Sequence, residues 1–363
     1  MNGGYNLKLQ LKKKICIAFV LIMVSITGCT IPFLEKEKQE VKVQTEGELA
    51  MDSVIMRVNN VGVTYREALI YMYQMKERYE TGFGEEIWDF SWNEEKNFGE
   101  YAKEEIIENI TQIKIIVQQA EKENVELTED ELSEISKQAK DYLAGITSND
   151  IKKYGLTEEF IENVYKDNRL AEKMYDKTTL VVDTSISDED VKQATIQYFV
   201  VLLEGTDRNG KKVNITKEKE KKSAKKRIQK LRKQAELATD FGNFADANSD
   251  LEDYELTYGK MDLSKEVKEQ QEDEKIKKLP KKILTQGLTM KTGKISKILE
   301  TKQGYFVLYC VNDFDEDATR AKKEKMIEAQ QEQVFSESYT AWSKDYKVEI
   351  GKKLWEQISF QNL

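Results

Sequence analysis

One buried strand constrains this chain more than any other stretch. It closes Gly287–Val311, which reads GLTMKTGKISKILETKQGYFVLYCV. An apolar step through Leu288 and Met290 ends at Gly293, and a short polar strand, Lys294–Leu299, follows. A second turn at Gln303-Gly304 leads into Tyr305–Val311, apolar almost throughout. Turn glycines that bracket β-prone runs mark adjacent strands of one sheet, and a strand without polar alternation is buried on both faces.

The chemistry open to the chain is bounded by the absence of histidine from all 363 residues. That removes the usual general base near pH 7, the commonest metal ligand and every triad that needs imidazole. A hydrophobic content of 39% beside 34% charge, with two prolines, describes a globular but polar chain of up to three ordinary domains. A net charge of −9 argues against nucleic acid as a partner. Cysteines at 16, 29 and 310 give no disulfide framework, and Cys310, inside the buried strand, reads as a small hydrophobe. No glycine-rich phosphate loop is present, and the acidic runs read as solvated surface, calcium-like ligands at best. Neither a cofactor nor a metal is expected.

Residues 1–28 read as a lipoprotein signal peptide. Lys8 and Lys12 to Lys14 form a positive n-region, and Ile15–Ile26 is an apolar segment short for a membrane span. The segment ends Ile26-Thr27-Gly28-Cys29, which resembles a bacterial lipobox cut before Cys29, whose thiol is then lipidated; the alternative is an uncleaved anchor with a chance cysteine. Cleavage removes four lysines and no acids, taking the net charge from −9 to −13. Residues 29–50 read as a tether with a reach of about 25 Å.

From Val54 the pattern becomes structural. Val54–Val58 and Val61–Val63, around Asn59-Asn60, predict a small β-arm. Thr64–Glu67 predicts a capping box opening a helix. A loop rich in Gly, Trp and Phe spans Thr81–Phe98 and offers Phe83, Trp88, Phe90, Trp92 and Phe98 either as contacts for an unfolded chain or as a buried cluster. A long helix carries Ala102, Ile106, Ile110, Ile113, Val117 and Ala120; Thr128–Glu131 is a second capping box; residues 151–177 predict one further helix. Ala194–Leu203 reads as a strand, Lys217–Lys233 as a basic helix running on to Ala245, and 246–278 as acidic and irregular, with an apparent insertion at Glu266–Lys278. The basic helix reads as a solvated face, with an anion site as the alternative. Pro280 opens a short helix, 318–346 is helical again, and Val348 with Ile350 adds a short strand.

Two stretches carry a family resemblance. The closing GKIS…GYFVL resembles the end of a parvulin-type peptidyl-prolyl isomerase domain, and VNNVGVTYREAL with QQAEKENVELTEDEL resembles the N-terminal domain of SurA- and PrsA-type foldases. The resemblance implies an α+β protein: a mostly helical chaperone domain built from both chain ends (51–187 and 316–363), with an inserted parvulin-like domain at 188–315. It implies a foldase lipid-anchored on the outer face of the plasma membrane of a Gram-positive bacterium, with unfolded exported proteins as partners and a homodimer left open. By position, the family's two histidines fall at Tyr198 and Phe306, and its pocket floor at Leu279 and Ile283. The acidic or thiol position falls near Leu251, between Asp250 and Asp253, and the family's glycine turn becomes Tyr258–Asp262, which brings Met261 to the pocket. The resemblance thus gives Tyr198, Asp250 and Asp253 as catalytic candidates and Tyr198, Met261, Leu279, Ile283 and Phe306 as substrate-binding ones. With the imidazoles replaced, isomerase activity is expected to be weak or lost. The other readings are an isomerase that works without histidine and a non-catalytic envelope scaffold.

Overall fold

The structure is a computed structural model that describes residues 49–94, 96–263 and 274–363. The expected signal peptide, Cys29, the tether up to residue 48 and residues 266–273 of the expected insertion lie outside the described residues. Leu49, placed in the tether by the sequence, already packs against the core. The chain divides into two compact units, one of residues up to Val181 together with Gln331–Leu363, the other Val182–Gln330.

The first unit opens with strands β1 (Val54–Val58) and β2 (Val61–Thr64). Asn59 holds the turn between them at φ 52°, a left-handed conformation that asparagine tolerates. Helix α1 (Tyr65–Phe83) starts as predicted, with Thr64 Oγ1 accepting from Glu67 N–H at 3.3 Å. Only half of the predicted capping box forms. The Glu67 carboxylate turns inward to Lys114 Nζ at 2.7 Å, because a buried ammonium needs a counter-charge. Helix α2 (Phe98–Lys122) buries Ala102, Ile106, Ile110, Ile113 and Ala120. Helix α3 (Glu129–Ala144) has the full reciprocal box, Glu131 N–H to Thr128 and Thr128 N–H to Glu131. The single helix predicted over 151–177 is instead two, α4 (Ser148–Tyr154) and α5 (Glu158–Thr179). Gly155 at φ 59° ends the first as a left-handed cap, and Thr157 caps the second.

The second unit begins with a single turn, α6 (Asp188–Val191), and the ten-residue β3 (Gln193–Leu202). A hairpin of β4 (Glu204–Thr206) and β5 (Lys212–Asn214) follows, then α7 (Glu218–Ala235) and α8 (Phe241–Asn248). The predicted continuous run from Lys217 to Ala245 is broken where Asp240 caps α8 by accepting from Asn243 N–H at 2.9 Å. Strand β6 (Glu255–Gly259) lies in the stretch expected to be irregular. Short helices α9 (Glu274–Lys278) and α10 (Lys281–Gly287) lead to β7 (Leu299–Glu300) and β8 (Gly304–Asn312). Of the predicted strand over 294–299 only Leu299 lies in a strand, with an isolated bridge from Ile295 to Tyr309. Ser296 accounts for the irregularity: its hydroxyl accepts the Leu308 N–H at 2.9 Å while its carbonyl accepts from Arg232 Nε.

Helix α11 (Glu316–Ser343) brings the chain back to the first unit, where β9 (Val348–Ile350) pairs antiparallel with β1, Val58 opposite Val348. The small sheet β2-β1-β9 therefore joins both chain ends. Helix α12 (Lys352–Glu356) and a last 3-10 turn add Trp355 and Phe360 to the same core as Phe335 and Tyr339. The protein is α+β: a mostly helical unit built from both ends of the chain, with an α/β unit inserted.

Candidate functional site

The inserted unit is organised by a four-stranded antiparallel sheet of order β6-β3-β8-β7, with Val200 opposite Phe306 and Tyr198 opposite Leu308 in its central pair. Because side chains alternate along a strand, each central strand supplies two cores. Phe199 and Val201 of β3 and Tyr305 and Val307 of β8 meet Ile228 and Leu231 of α7 and Phe241 of α8 on one face. Ile196, Tyr198 and Val200 of β3 and Phe306, Leu308 and Cys310 of β8 meet Ile283 and Leu284 of α10 on the other.

That second face collects most of the residues singled out from the sequence. Tyr198, Leu279, Ile283 and Phe306 share one cluster, with the rings of Tyr198 and Phe306 6.4 Å apart. They are 1%, 4%, 0% and 0% exposed, so all four side chains are interior. Met261 lies just beyond β6, half-buried, in a 3-10 turn whose Asp262 accepts from the Gly259 N–H at 2.7 Å. Polar groups inside the cluster are few and committed. Tyr258 donates its hydroxyl to the Leu284 carbonyl at 2.6 Å, and burial raises its pKa. Burial also pushes the Cys310 thiol up, which makes it a poor nucleophile. Tyr258 Oη is pressed against Gly287 where a Cβ would sit, so α10 approaches the sheet this closely only because residue 287 is glycine.

The two acidic candidates are elsewhere. Asp250 accepts from Leu202 N–H at 2.8 Å and from Arg227 at 2.7 Å, which ties the end of β3 to α7. Leu202 is four residues beyond Tyr198, about 13 Å along a strand. Asp253 pairs with Lys275 at 3.2 Å. Asp253 directly precedes Tyr254, whose carbonyl accepts the Tyr198 N–H at 2.7 Å. Among the described residues no group of three or more metal-ligating side chains converges.

The first unit contains a concavity that the sequence did not announce. A groove of about 810 Å³ opens beside α1, α3 and α4, lined by Leu69, Ile70, Tyr73, Tyr142, Tyr154 and Leu156, with Lys76, Glu77, Asp141 and Lys153 at its polar parts. Tyr73 and Tyr154 are hydrogen-bonded through their hydroxyls at 2.5 Å, and Lys153 donates to Tyr154 at 2.6 Å. Burial, and then the bond to Tyr154, raise the Tyr73 pKa, so the Tyr73 phenol stays neutral. The aromatic loop divides between the two roles expected of it. Trp88 and Phe98 are core, Trp88 stacking on Phe360 at 3.9 Å, whereas Phe83, Phe90 and Trp92 are exposed.

Residues 206–312 match the family model described as "Rotamase: PPIC-type PPIASE domain". The chain is 23% identical over 339 residues to a foldase protein PrsA of Clostridium botulinum, an alignment covering 86% of this chain and 92% of that one. A foldase protein PrsA of Caldanaerobacter subterraneus is 23% identical over 175 residues, covering 46% of this chain and 52%, about half, of the relative. The chain is PrsA-like. Among solved structures, the PrsA peptidylprolyl isomerase of Bacillus cereus is 14% identical over 82% of this chain and 97% of its own, with a TM-score of 0.29, a superposition too loose to carry detail. In this PrsA-like chain the PPIC-type match begins after β3, so the strand that holds Tyr198 precedes it. The groove and the division of the loop escaped the sequence because both depend on how helices meet. Only Gly155, which turns α4 away from α5, hinted at the groove from sequence.

Proposed function

We propose that this chain is a membrane-anchored extracytoplasmic foldase that holds unfolded exported polypeptides on its helical unit. In this reading, Cys29 carries the lipid and the PPIC-type domain adds binding area with weak or lost isomerase activity. The observation that carries the holding function is the tyrosine-lined groove of about 810 Å³, apolar at its base and hydrogen-bonding at its rim, in a unit that also exposes Phe83, Phe90 and Trp92. Such a mixture suits sequence-tolerant binding of extended chain, since aromatic rings give area at low entropic cost and phenols pair with free backbone groups.

Weak or lost isomerisation is the reading that the replaced imidazoles and the buried sheet face support. Rotation about an X–Pro bond crosses a barrier of about 18–20 kcal/mol, and catalysis requires a site that binds the twisted amide better than the planar one. In this reading Tyr198 and Phe306 take the positions of the family's imidazoles, and both are buried together with Leu279 and Ile283.

Two measurements on the chain from residue 29 test this. It should slow aggregation of an unfolded exported protein at near-stoichiometric amounts, and it should leave cis/trans exchange of a short X-Pro peptide, followed by exchange NMR, unaccelerated. No effect on aggregation would remove the holding function, and clear acceleration would show that an imidazole-free site works.

A further inference from the structure

Helix α7 carries a charge pattern that neither holding nor isomerisation uses. Its 18 residues contain nine lysines and arginines against two glutamates, in a chain whose net charge is −9. Ala224, Ile228, Leu231 and Ala235 are buried against the sheet. On the flanks the basic residues are spoken for: Lys221 pairs with Glu218, Lys225 with Glu300, Arg227 with Asp250 and Arg232 with Glu236. Lys219, Lys222, Lys226, Lys230 and Lys233 are different. All five are exposed, and among the described residues none forms an ion pair. Their spacing of three, four, four and three places them within an arc of about 80°, opposite the buried stripe, along about 21 Å of helix.

We propose that this lysine crest is a docking surface for anionic phospholipid headgroups, one that adds an electrostatic contact to the lipid anchor proposed above. The shape selects the partner. A small anion needs donors that converge, whereas lysines on the convex side of a helix diverge, so the crest fits an extended flat array of negative charge. Residues between the lysines are polar (Ser223, Gln229) and the apolar side of the helix is already buried, so the contact is with headgroups and not with hydrocarbon. Lysine rather than arginine suits a delocalised charge that asks for no bidentate geometry. The surrounding chain is acidic and is repelled by the same surface, which makes the crest an orienting contact as well as an adhesive one.

Vesicle co-sedimentation tests this with the unacylated chain from residue 29 carrying Cys29→Ser, which retains every described residue. At 50 mM salt it should bind vesicles with about 30% phosphatidylglycerol in phosphatidylcholine, ignore pure phosphatidylcholine, and come off as salt rises toward 0.5 M, where screening is complete within a few ångströms. Replacing K222Q, K226Q and K230Q together should lower the partition coefficient about 100-fold, about five-fold per lysine at ~1 kcal/mol each. The equally charged control K137Q/K152Q/K352Q should change it far less, and circular dichroism should show both variants folded. Equal binding to neutral vesicles, or equal loss from the control, would overturn the proposal. So would capture of poly-glutamate without vesicle binding, which would assign the crest to acidic polypeptide. Failure here leaves aggregation suppression untouched, and a failed anchor would appear instead as unacylated Cys29 in mass spectra of the full chain.

Discussion

Replacing Lys114 by methionine tests the electrostatics of the helical unit directly. Lys114 Nζ lies 2.7 Å from Glu67 Oε1 and 2.5 Å from Asp167 Oδ2, so α1, α2 and α5 meet at one ammonium between two carboxylates. Burial pushes the Glu67 carboxyl above its ordinary range, and the pull of Lys114 does not fully offset it. Burial also works against the Lys114 ammonium, but Glu67 and Asp167 outweigh it and its pKa is raised. Methionine keeps the volume and removes the charge, leaving two carboxylates facing each other in the core. Breaking a buried pair from one side costs about 3–5 kcal/mol, or roughly 6–20 °C in Tm for a unit of this size at about 2–4 °C per kcal/mol.

The pH dependence separates this from a plain packing defect. Without Lys114, Glu67 binds a proton more tightly folded than unfolded, so the folded state holds more protons and stability falls as pH rises above about 4.5, the ordinary glutamate value. K114M should therefore be least damaging near pH 4.5 and most damaging above the raised Glu67 pKa. K114M/E67L/D167L, which leaves no buried charge, should recover most of the loss. All four tryptophans (Trp88, Trp92, Trp342 and Trp355) belong to the first unit, so their fluorescence during urea unfolding reports on it alone. A pH-independent loss below about 1 kcal/mol would refute the reasoning.

Other outcomes follow from the same geometry. Trp88→Ala, which removes the stack on Phe360 and the bond from Nε1 to Glu80 at 2.7 Å, should cost about 3–5 kcal/mol in urea unfolding. F83S/F90S should instead weaken aggregation suppression several-fold while moving stability by less than about 0.5 kcal/mol, since both rings are exposed. Gly287→Ala forces a methyl into Tyr258 Oη and Ile196 and should destabilise the inserted unit by about 1–3 kcal/mol, read as loss of α/β circular dichroism at lower urea. Glu131 is held down to about 2 by Lys173 and then by the Thr128 backbone. Its contribution is present above pH 4.5 and lost as pH falls toward 2, so E131Q should flatten that limb of an acid titration.

What the sequence made legible was periodicity. The double-faced β3 and β8, the stripes of α2 and α5 and the reciprocal box at Thr128 are local patterns of period 2 or 3.6, and each lies where the spacing places it. What it missed turns on single residues whose partners are distant in the chain. Gly155 splits a helix, Asp240 starts another, and Glu67 abandons its cap for Lys114, 47 positions away. Strand β6 was hidden in an acidic stretch because only Leu256 and Tyr258 face the core, while its other residues meet solvent or backbone.

The site shows the same limit in a sharper form. A proline pocket and a filled core read identically along a strand: both need apolar residues at alternate positions, and Tyr198, Ile283 and Phe306 satisfy either. The difference between them is a void, and a void is set by what closes over the sheet. Here α10 closes over it, brought near by Gly287 and fastened by the Tyr258 bond to the Leu284 carbonyl. In the reading proposed above, replacement of the imidazoles and burial of this face go together. A buried histidine must keep a polar partner or lose its charge, whereas on this face a phenylalanine needs none and the Tyr258 hydroxyl finds one in the Leu284 carbonyl. The other face of the same sheet packs against α7 through Ile228 and Leu231, which leaves the opposite side of that helix to expose its lysines.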